Sequence, residues 1–275
     1  MSGTQDAVAV MREPMAPAPK LAVRNLVKTR RTTSGDTVTA VDHVSFDVRR
    51  GEFVCLLGPS GCGKTTILNI LAGLDEPTSG QALLDGRPIE RPGPDRAVLF
   101  QEPALFPWLS VVANVELALK YVGVPEADRR ERAMGWLANV HLERFADIQP
   151  HELSAGMRQR AALARALASD PDVLLGDEPF GSLDAQAREL LQDEVQRVWV
   201  ESEGRKTFVF VTHNVREAAL LADRVLVMTA APGRLLEEQR IHAPRPRQLD
   251  DALVSRVVSE IHEVLMREVD KGGPA

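Results

Sequence analysis

The sequence predicts an α/β fold with a mainly parallel core sheet, an antiparallel β subdomain and an inserted α-helical subdomain. Three observations carry that prediction. Between Leu21 and Ile241, the strand-like runs "GEFVCLLG", "RAVLFQ", "DVLLGDEP", "KTFVFVTH" and "DRVLVMTA" alternate with helical stretches, the pattern of a mainly parallel sheet. "LLDGRPI" sets Asp85-Gly86 between two short apolar runs, a hairpin turn that adds antiparallel pairing. From Val111 to Ala168 strand signals stop and helical ones dominate, which places the inserted helical subdomain at about residues 104–168.

Composition narrows the function. A chain of 275 residues, 44% hydrophobic, buries a full core as one large domain or a domain with an insertion. The formal charge of −6 offers no general basic field, so no nucleic-acid partner is expected. No apolar run approaches the roughly 18 residues that span a bilayer, and the N-terminus lacks a charged-then-apolar signal pattern; any membrane role is peripheral. The only cysteines, Cys55 and Cys62, have no second pair to build a zinc site and read as reduced thiols.

Taken in order, residues 1–20 carry three prolines and no apolar period and read as a disordered leader. The strand "FVCLLG" then runs into "LGPSGCGKTT", where Gly58, Gly63, Lys64 and Thr65 satisfy G-x-x-x-x-G-K-[ST] ahead of the helix-like "KTTILNILAGL". Strand, loop and helix in that order form the P-loop core of a nucleoside triphosphatase (NTPase). Gly58, Pro59, Ser60, Gly61, Cys62, Gly63 and Lys64 would curl round a phosphate chain, with the helix N-terminus adding partial positive charge. Lys64 would reach the terminal phosphates and Thr65 would give a hydroxyl to Mg²⁺, while Thr66 would either cap the helix or touch a phosphate oxygen. Further on, Ser154 reads as the N-cap of an alanine-rich helix. Asp177, after the strand-like "VLLG", is expected to hold Mg²⁺ directly or through water. Glu178 would face the attacking water, because neighbouring side chains past a strand diverge. Gly176 stands where an apolar residue normally finishes such a strand, and looser packing is expected there. Residues 242–275 read as a linker, "APRPRQ", and a terminal amphipathic helix with Leu253, Val257, Ile261 and Leu265 at spacing four beside Val254 and Val258. Its acidic polar face favours packing over membrane anchoring.

With the phosphate loop upstream and "GDEPFGSLD" downstream, "LSAGM" resembles the signature sequence of ATP-binding cassette (ABC) ATPases. The resemblance covers residues 21–241 with the motifs in family order, and it implies hydrolysis of ATP to ADP and phosphate with Mg²⁺. Ser154 and Gly156 match the signature, whereas Ala155 and Met157 depart from L-S-G-G-Q and imply tuned turnover. Gln101 in "LFQEP" matches the Q-loop glutamine, which in the family senses Mg²⁺ and the attacking water. Asp184 in "GSLD" matches the D-loop aspartate and also stands as a cap for helix 185–200. His213 in "VFVTHN" matches the switch histidine that contacts the γ-phosphate, with Asn214 in place of the usual aspartate. The family's adenine-stacking aromatic is missing from "LVKTRRTTSGDTV"; Arg30 or Arg31 stands near, and Arg30 is expected to lie flat on the base.

The resemblance also implies partners. In the family two cassettes sandwich two ATP molecules, so a second copy of the chain is expected. Leu105, Phe106, Pro107, Trp108 and Leu109 form a cluster too apolar for an ordinary surface loop. Either it is buried against the helical subdomain, or it belongs to the groove that in importers receives a coupling helix of the permease. "LFPWLSVVANV", "DEPFGSLD" and "MTAAPGR" together resemble the nitrate, sulfonate and taurine branch of bacterial importers. That likeness implies transmembrane permease subunits, an external solute-binding protein, and a peripheral place on the cytoplasmic face of the inner membrane. The alternative is an ABC ATPase of a lipid-handling or mechanochemical complex. A P-loop GTPase would need N-K-x-D, which the sequence lacks.

Overall fold

A computed structural model describes residues 18–32 and 35–271. The chain opens with β1 (Leu21–Arg31), β2 (Thr37–Val48), β3 (Phe53–Leu57), α1 (Lys64–Ala72), β4 (Ser79–Leu84), β5 (Arg87–Pro88) and β6 (Arg96–Leu99). It continues through α2 (Val111–Tyr121), α3 (Glu126–Asn139), two short 3-10 turns and α4 (Ala155–Ala168). Then follow β7 (Val173–Asp177), α5 (Ala185–Glu201), β8 (Thr207–Thr212), α6 (Val215–Leu221), β9 (Arg224–Met228), β10 (Leu235–Arg240) and α7 (Ala252–Lys271).

The five strand-like runs pair in the order β9-β3-β8-β7-β6, all parallel, and β10 closes one edge antiparallel. β3, β8 and β9 are buried at every position, as strands covered on both faces must be. Side chains of β3 alternate between two cores. Val54 and Leu56 join α1 and the antiparallel sheet, while Phe53, Cys55 and Leu57 face the core that α4 to α7 cover. The second sheet, β2-β1-β4-β5, is antiparallel. Its hairpin turns on Asp85 and Gly86, with φ of 47° and 76°, the positive values that a two-residue I′ turn requires. Between β6 and β7 the described chain is helical, with α2, α3 and α4 packed on one another.

Register sets the place for chemistry. Leu57 pairs with Thr212 and Asp177 with Val211, so β3, β7 and β8 end level at the carboxyl edge of the sheet. Ligands of open α/β sheets bind there.

Several expectations are corrected. The leader expected over residues 1–20 lies outside the described residues as far as residue 17, but Lys20 is buried, with Nζ 2.6 Å from Asp85 and 2.7 Å from Asp172. Packing at Gly176 is tight rather than loose, because the Phe210 ring fills the space a side chain would take. "APRPRQ" is a packed strap: Arg247 is 3% exposed and donates to carbonyls of Ala219, Leu220, Ala222, Ile241 and Ala243. Beside it Arg245 pairs with Asp223 at 2.9 Å and lies 4.3 Å over the Trp199 ring. A guanidinium carries five donors, enough to satisfy the open carbonyls at the end of α6. Finally, α7 buries Val254, Ile261 and Val264 and packs on α6, but leaves Leu253 exposed. Among the described residues no helix is long and apolar enough to cross a membrane.

Candidate functional site

The loop after β3 turns back where its glycines permit close approach. A Cβ on Gly58 would stand 2.9 Å from Cys62 Sγ, and one on Gly63, at φ 92°, would stand 2.7 Å from the Ala40 carbonyl oxygen. Gly61, at φ 80°, has nothing within 4 Å of such an atom; the tip of the loop, with exposed Pro59 and Ser60, is open. Lys64 is 4% exposed, and its Nζ donates to the carbonyls of Gly58 and Pro59, each at 2.9 Å. The ammonium thus lies inside the ring of the loop. α1 starts on Gly63 with no side-chain cap, so its first N–H groups and partial positive charge point into the same ring. Thr66 is not the cap: it lies within α1, where Arg30 Nη2 donates to its hydroxyl at 3.2 Å. Arg30 also lies 3.6 Å from Asp75 and is half exposed.

Thr65 Oγ1 donates to Asp177 Oδ1 at 2.8 Å. Burial pushes the Asp177 carboxyl above its usual range, the Thr65 hydroxyl and Lys64 oppose that shift, and the Glu178 charge adds to it. Two hard oxygens at the end of a buried strand fit Mg²⁺, which takes one or two protein oxygens and shares phosphates and water. Among the described residues no group of three or more His, Cys, Asp or Glu is placed to hold a metal ion.

Glu178 follows Asp177 with φ of 43°. A left-handed backbone at a residue with a side chain costs roughly 1–2 kcal/mol, and it is what parts the two carboxylates. Asp177 turns to Thr65, whereas Glu178 Oε2 lies 2.8 Å from His213 Nδ1. A hydrogen bond from the Glu178 N–H to the Val211 carbonyl, 3.0 Å, anchors the turn to β8. Gln101 Nε2 and Glu178 Oε2 border one space over Gly181, 3.4 Å and 3.7 Å from where a Cβ would sit. Gln101, Glu178 and His213 are therefore brought together, next to Lys64, Thr65 and Asp177.

Ser154, Gly156 and Asp184 form a second cluster. Ser154 caps α4 through the Met157 N–H, and Asp184 caps α5 through the Ala187 N–H. Gly156 lets the two helix starts abut, since a Cβ on it would be 2.6 Å from Ala187 Cβ. Among the described residues no hydrogen bond joins this cluster to residues 58–66. Of the apolar cluster after Gln101, Leu105 is buried but Phe106 is 36% and Trp108 70% exposed. Beside Phe106 opens a groove of about 740 Å³, lined by Leu117, Tyr121 and Arg165 among others.

Sequence reasoning missed Glu217 and Arg188. Glu217 is 6% exposed and takes a hydrogen bond of 2.7 Å from the Thr212 hydroxyl. The available signal was its place four residues after His213, in the first turn of α6, where an acidic residue also suits the helix dipole.

Residues 41–181 match the protein-family model described as ABC transporter. A taurine import ATP-binding protein of Rhizobium johnstonii is 50% identical, covering 74% of this chain and 76% of its own length. A bicarbonate transport ATP-binding protein of Synechococcus elongatus is 42% identical, covering 86% of this chain and 87% of its own. Among solved structures, a dimeric ATP-binding cassette in a post-hydrolysis state with ADP and Pi aligns with a TM-score of 0.73. It is 32% identical and covers 82% of this chain and 100% of that one.

Proposed function

The chain belongs to the ABC transporter family as an ATP-binding, ATP-hydrolysing cassette, and from that premise we propose that it is the subunit that energises a bacterial importer of a small anionic solute. The observation that carries the catalytic part is the convergence of the Lys64 ring, the Thr65–Asp177 pair and the Glu178–His213 pair on one sheet edge. ATP bound there supplies the scissile γ-phosphoryl bond, and Mg²⁺ neutralises charge that develops as it breaks. Lys64 and the first N–H groups of α1 hold the terminal phosphates. Thr65 and Asp177, with Gln101, hold the metal. Glu178 orients the water and accepts its proton, with His213 fixed at Nδ1 by that carboxylate and its Nε2 left for a γ-phosphate oxygen. Arg30, held at Thr66, offers its guanidinium plane to the base.

Ser154, Gly156 and Asp184 serve the nucleotide of a second copy, a reading supported by the dimeric state named for the solved cassette. Exposed Trp108 and Phe106 beside the groove suit an apolar segment of a permease. Taurine and bicarbonate, named for the two relatives, both carry an anionic group, which supports that class of cargo. The cytoplasmic face of the inner membrane and an external solute-binding protein follow from the same reading. Affinity purification of the chain from detergent-solubilised native membranes tests it. A polytopic permease in a two-to-two complex is the expected result. Capture of soluble partners alone would refute the importer and favour a mechanochemical complex.

A further inference from the structure

Glu178 and His213 sit on different loops, and their side chains meet in one bond of 2.8 Å. Behind His213, the buried Glu217 carboxylate engages both of its neighbours. Its Oε2 accepts from the Thr212 hydroxyl at 2.7 Å, and its Oε1 accepts from Asn214 Nδ2 at 3.5 Å. The Asn214 side chain returns the contact by accepting from the Glu217 N–H at 3.4 Å, while the Asn214 N–H donates to the Thr212 hydroxyl at 3.0 Å. His213 thus stands between two neighbours that Glu217 secures, and its own side chain is bonded to Glu178.

The same carboxylate reaches the other loop through Arg188. Its Nε lies 3.9 Å from Glu217 Oε1, a distance for charge attraction rather than a hydrogen bond. The guanidinium donates to the carbonyls of Phe180, 3.4 Å, and Leu183, 2.9 Å. Those carbonyls belong to the turn that follows Glu178, and the Gly181 N–H closes that turn by donating to the Glu178 carbonyl at 3.0 Å. The path runs from Glu178 through the 180–183 turn to Arg188 and Glu217, then through Thr212 and Asn214 to His213, and back to Glu178. It is a closed ring, and only the Glu178–His213 contact faces the site.

We propose that Glu217 and Arg188 are positioning residues for hydrolysis: the buried Glu217 carboxylate and the partly exposed Arg188 guanidinium tie the turn after Glu178 to the turn around His213 and so hold the two side chains at hydrogen-bond distance. The inference rests on the reading of Glu178 and His213 as the hydrolytic pair. Arg188 starts its contacts one turn into α5, whose cap is Asp184, so the brace also makes the position of His213 depend on the 180–184 segment. A buried carboxylate with several partners is costly to leave half-matched, which is why such networks order what they touch.

The test uses the full chain and four variants: Glu217→Ala, Arg188→Met, and Glu178→Gln and His213→Ala as references. Steady-state ATP hydrolysis gives kcat, a fluorescent ATP analogue gives nucleotide affinity, and ¹⁵N NMR of the histidine rings reports the hydrogen bond at His213 Nδ1. The His213 signal is assigned by its loss in His213→Ala. A misplacement of about 1 Å costs on the order of 10²-fold in rate, so Glu217→Ala and Arg188→Met are expected to lose about 10- to 100-fold in kcat with nucleotide affinity retained. In both, the His213 ring signal moves away from its hydrogen-bonded position. If Glu217→Ala does not fold, Arg188→Met is judged by the same measures. The proposal is overturned if kcat in the folded variants stays within about twofold of the parent, or if the His213 signal is unmoved. Normal hydrolysis by Glu178→Gln would instead sink the assignment of the hydrolytic pair, and the ring signal would still show whether the brace exists.

Discussion

Replacing Gly176 by alanine adds one methyl group at the residue before Asp177. That methyl would stand 2.6 Å from Cδ1 and 2.8 Å from Cε1 of Phe210, well inside contact distance. The ring has little room to yield. Phe210 is 1% exposed, with Phe53 at 5.0 Å, Phe208 at 5.9 Å and Phe180 at 6.1 Å between ring centroids. Two effects compete. Gly176 has no left-handed backbone, so alanine restricts the unfolded chain and contributes about 0.4–1 kcal/mol in favour of folding. Overpacking a filled core costs about 1–3 kcal/mol, so the clash wins and the net loss is about 1–2 kcal/mol. For a chain of this size each kcal/mol moves Tm by about 2–4 °C, which gives a drop of about 2–8 °C. Because the push falls beside the Thr65–Asp177 contact of 2.8 Å, hydrolysis is expected to fall by about tenfold as well. Thermal unfolding and phosphate release on the same preparation read both effects. The double variant Gly176→Ala/Phe210→Leu, with space restored, is expected to recover part of each. A Gly176→Ala protein as stable and as active as its parent would refute the claim that Phe210 excludes a side chain there.

Glu178→Gln is expected to bind ATP but to release phosphate about 10² to 10⁴ times more slowly, the range for loss of a general base; near-normal turnover would remove Glu178 from that role. Arg30→Ala is expected to weaken ATP binding by about 2- to 30-fold, the worth of one cation over a π face, read by calorimetry. Unchanged affinity would end the stacking assignment. Trp108→Ala should weaken capture of the permease by at least about tenfold, because truncating a buried tryptophan anchor typically costs 2 kcal/mol or more, and undiminished capture from solubilised membranes would place the docking surface elsewhere. Cys55 and Cys62 are 1% and 0% exposed, and burial pushes both thiols above their ordinary range. Neither is expected to react with iodoacetamide at about pH 8 while the chain is folded, and mass spectrometry showing rapid modification would contradict their burial.

What was legible in the sequence follows from how far each interaction reaches along the chain. The five parallel strands and the Asp85-Gly86 hairpin were readable because period, β-branching and turn chemistry act over a few residues. The loop around Lys64 was readable for the same reason, since glycines, lysine and threonine are contiguous there. Gly176 misled because its reason lies 34 positions on, in the ring of Phe210 on the next strand of the sheet. "APRPRQ" misled because arginines between prolines look solvated until the chain returns them to the end of α6. That return bears on the site. α6 begins where Asn214 and Glu217 secure the turn around His213, and it ends where Arg245 and Arg247 take up the carbonyls of residues 219–222. A helix of seven residues has too few internal hydrogen bonds to be stable alone, so its placement comes from what grips its two ends. One grip is acidic, close to the histidine and made within a turn. The other is a pair of guanidinium groups from a segment more than twenty residues downstream. The strap read as a linker is therefore part of what fixes the helix that follows His213, and its distance from α6 in sequence is why reading along the chain did not find it.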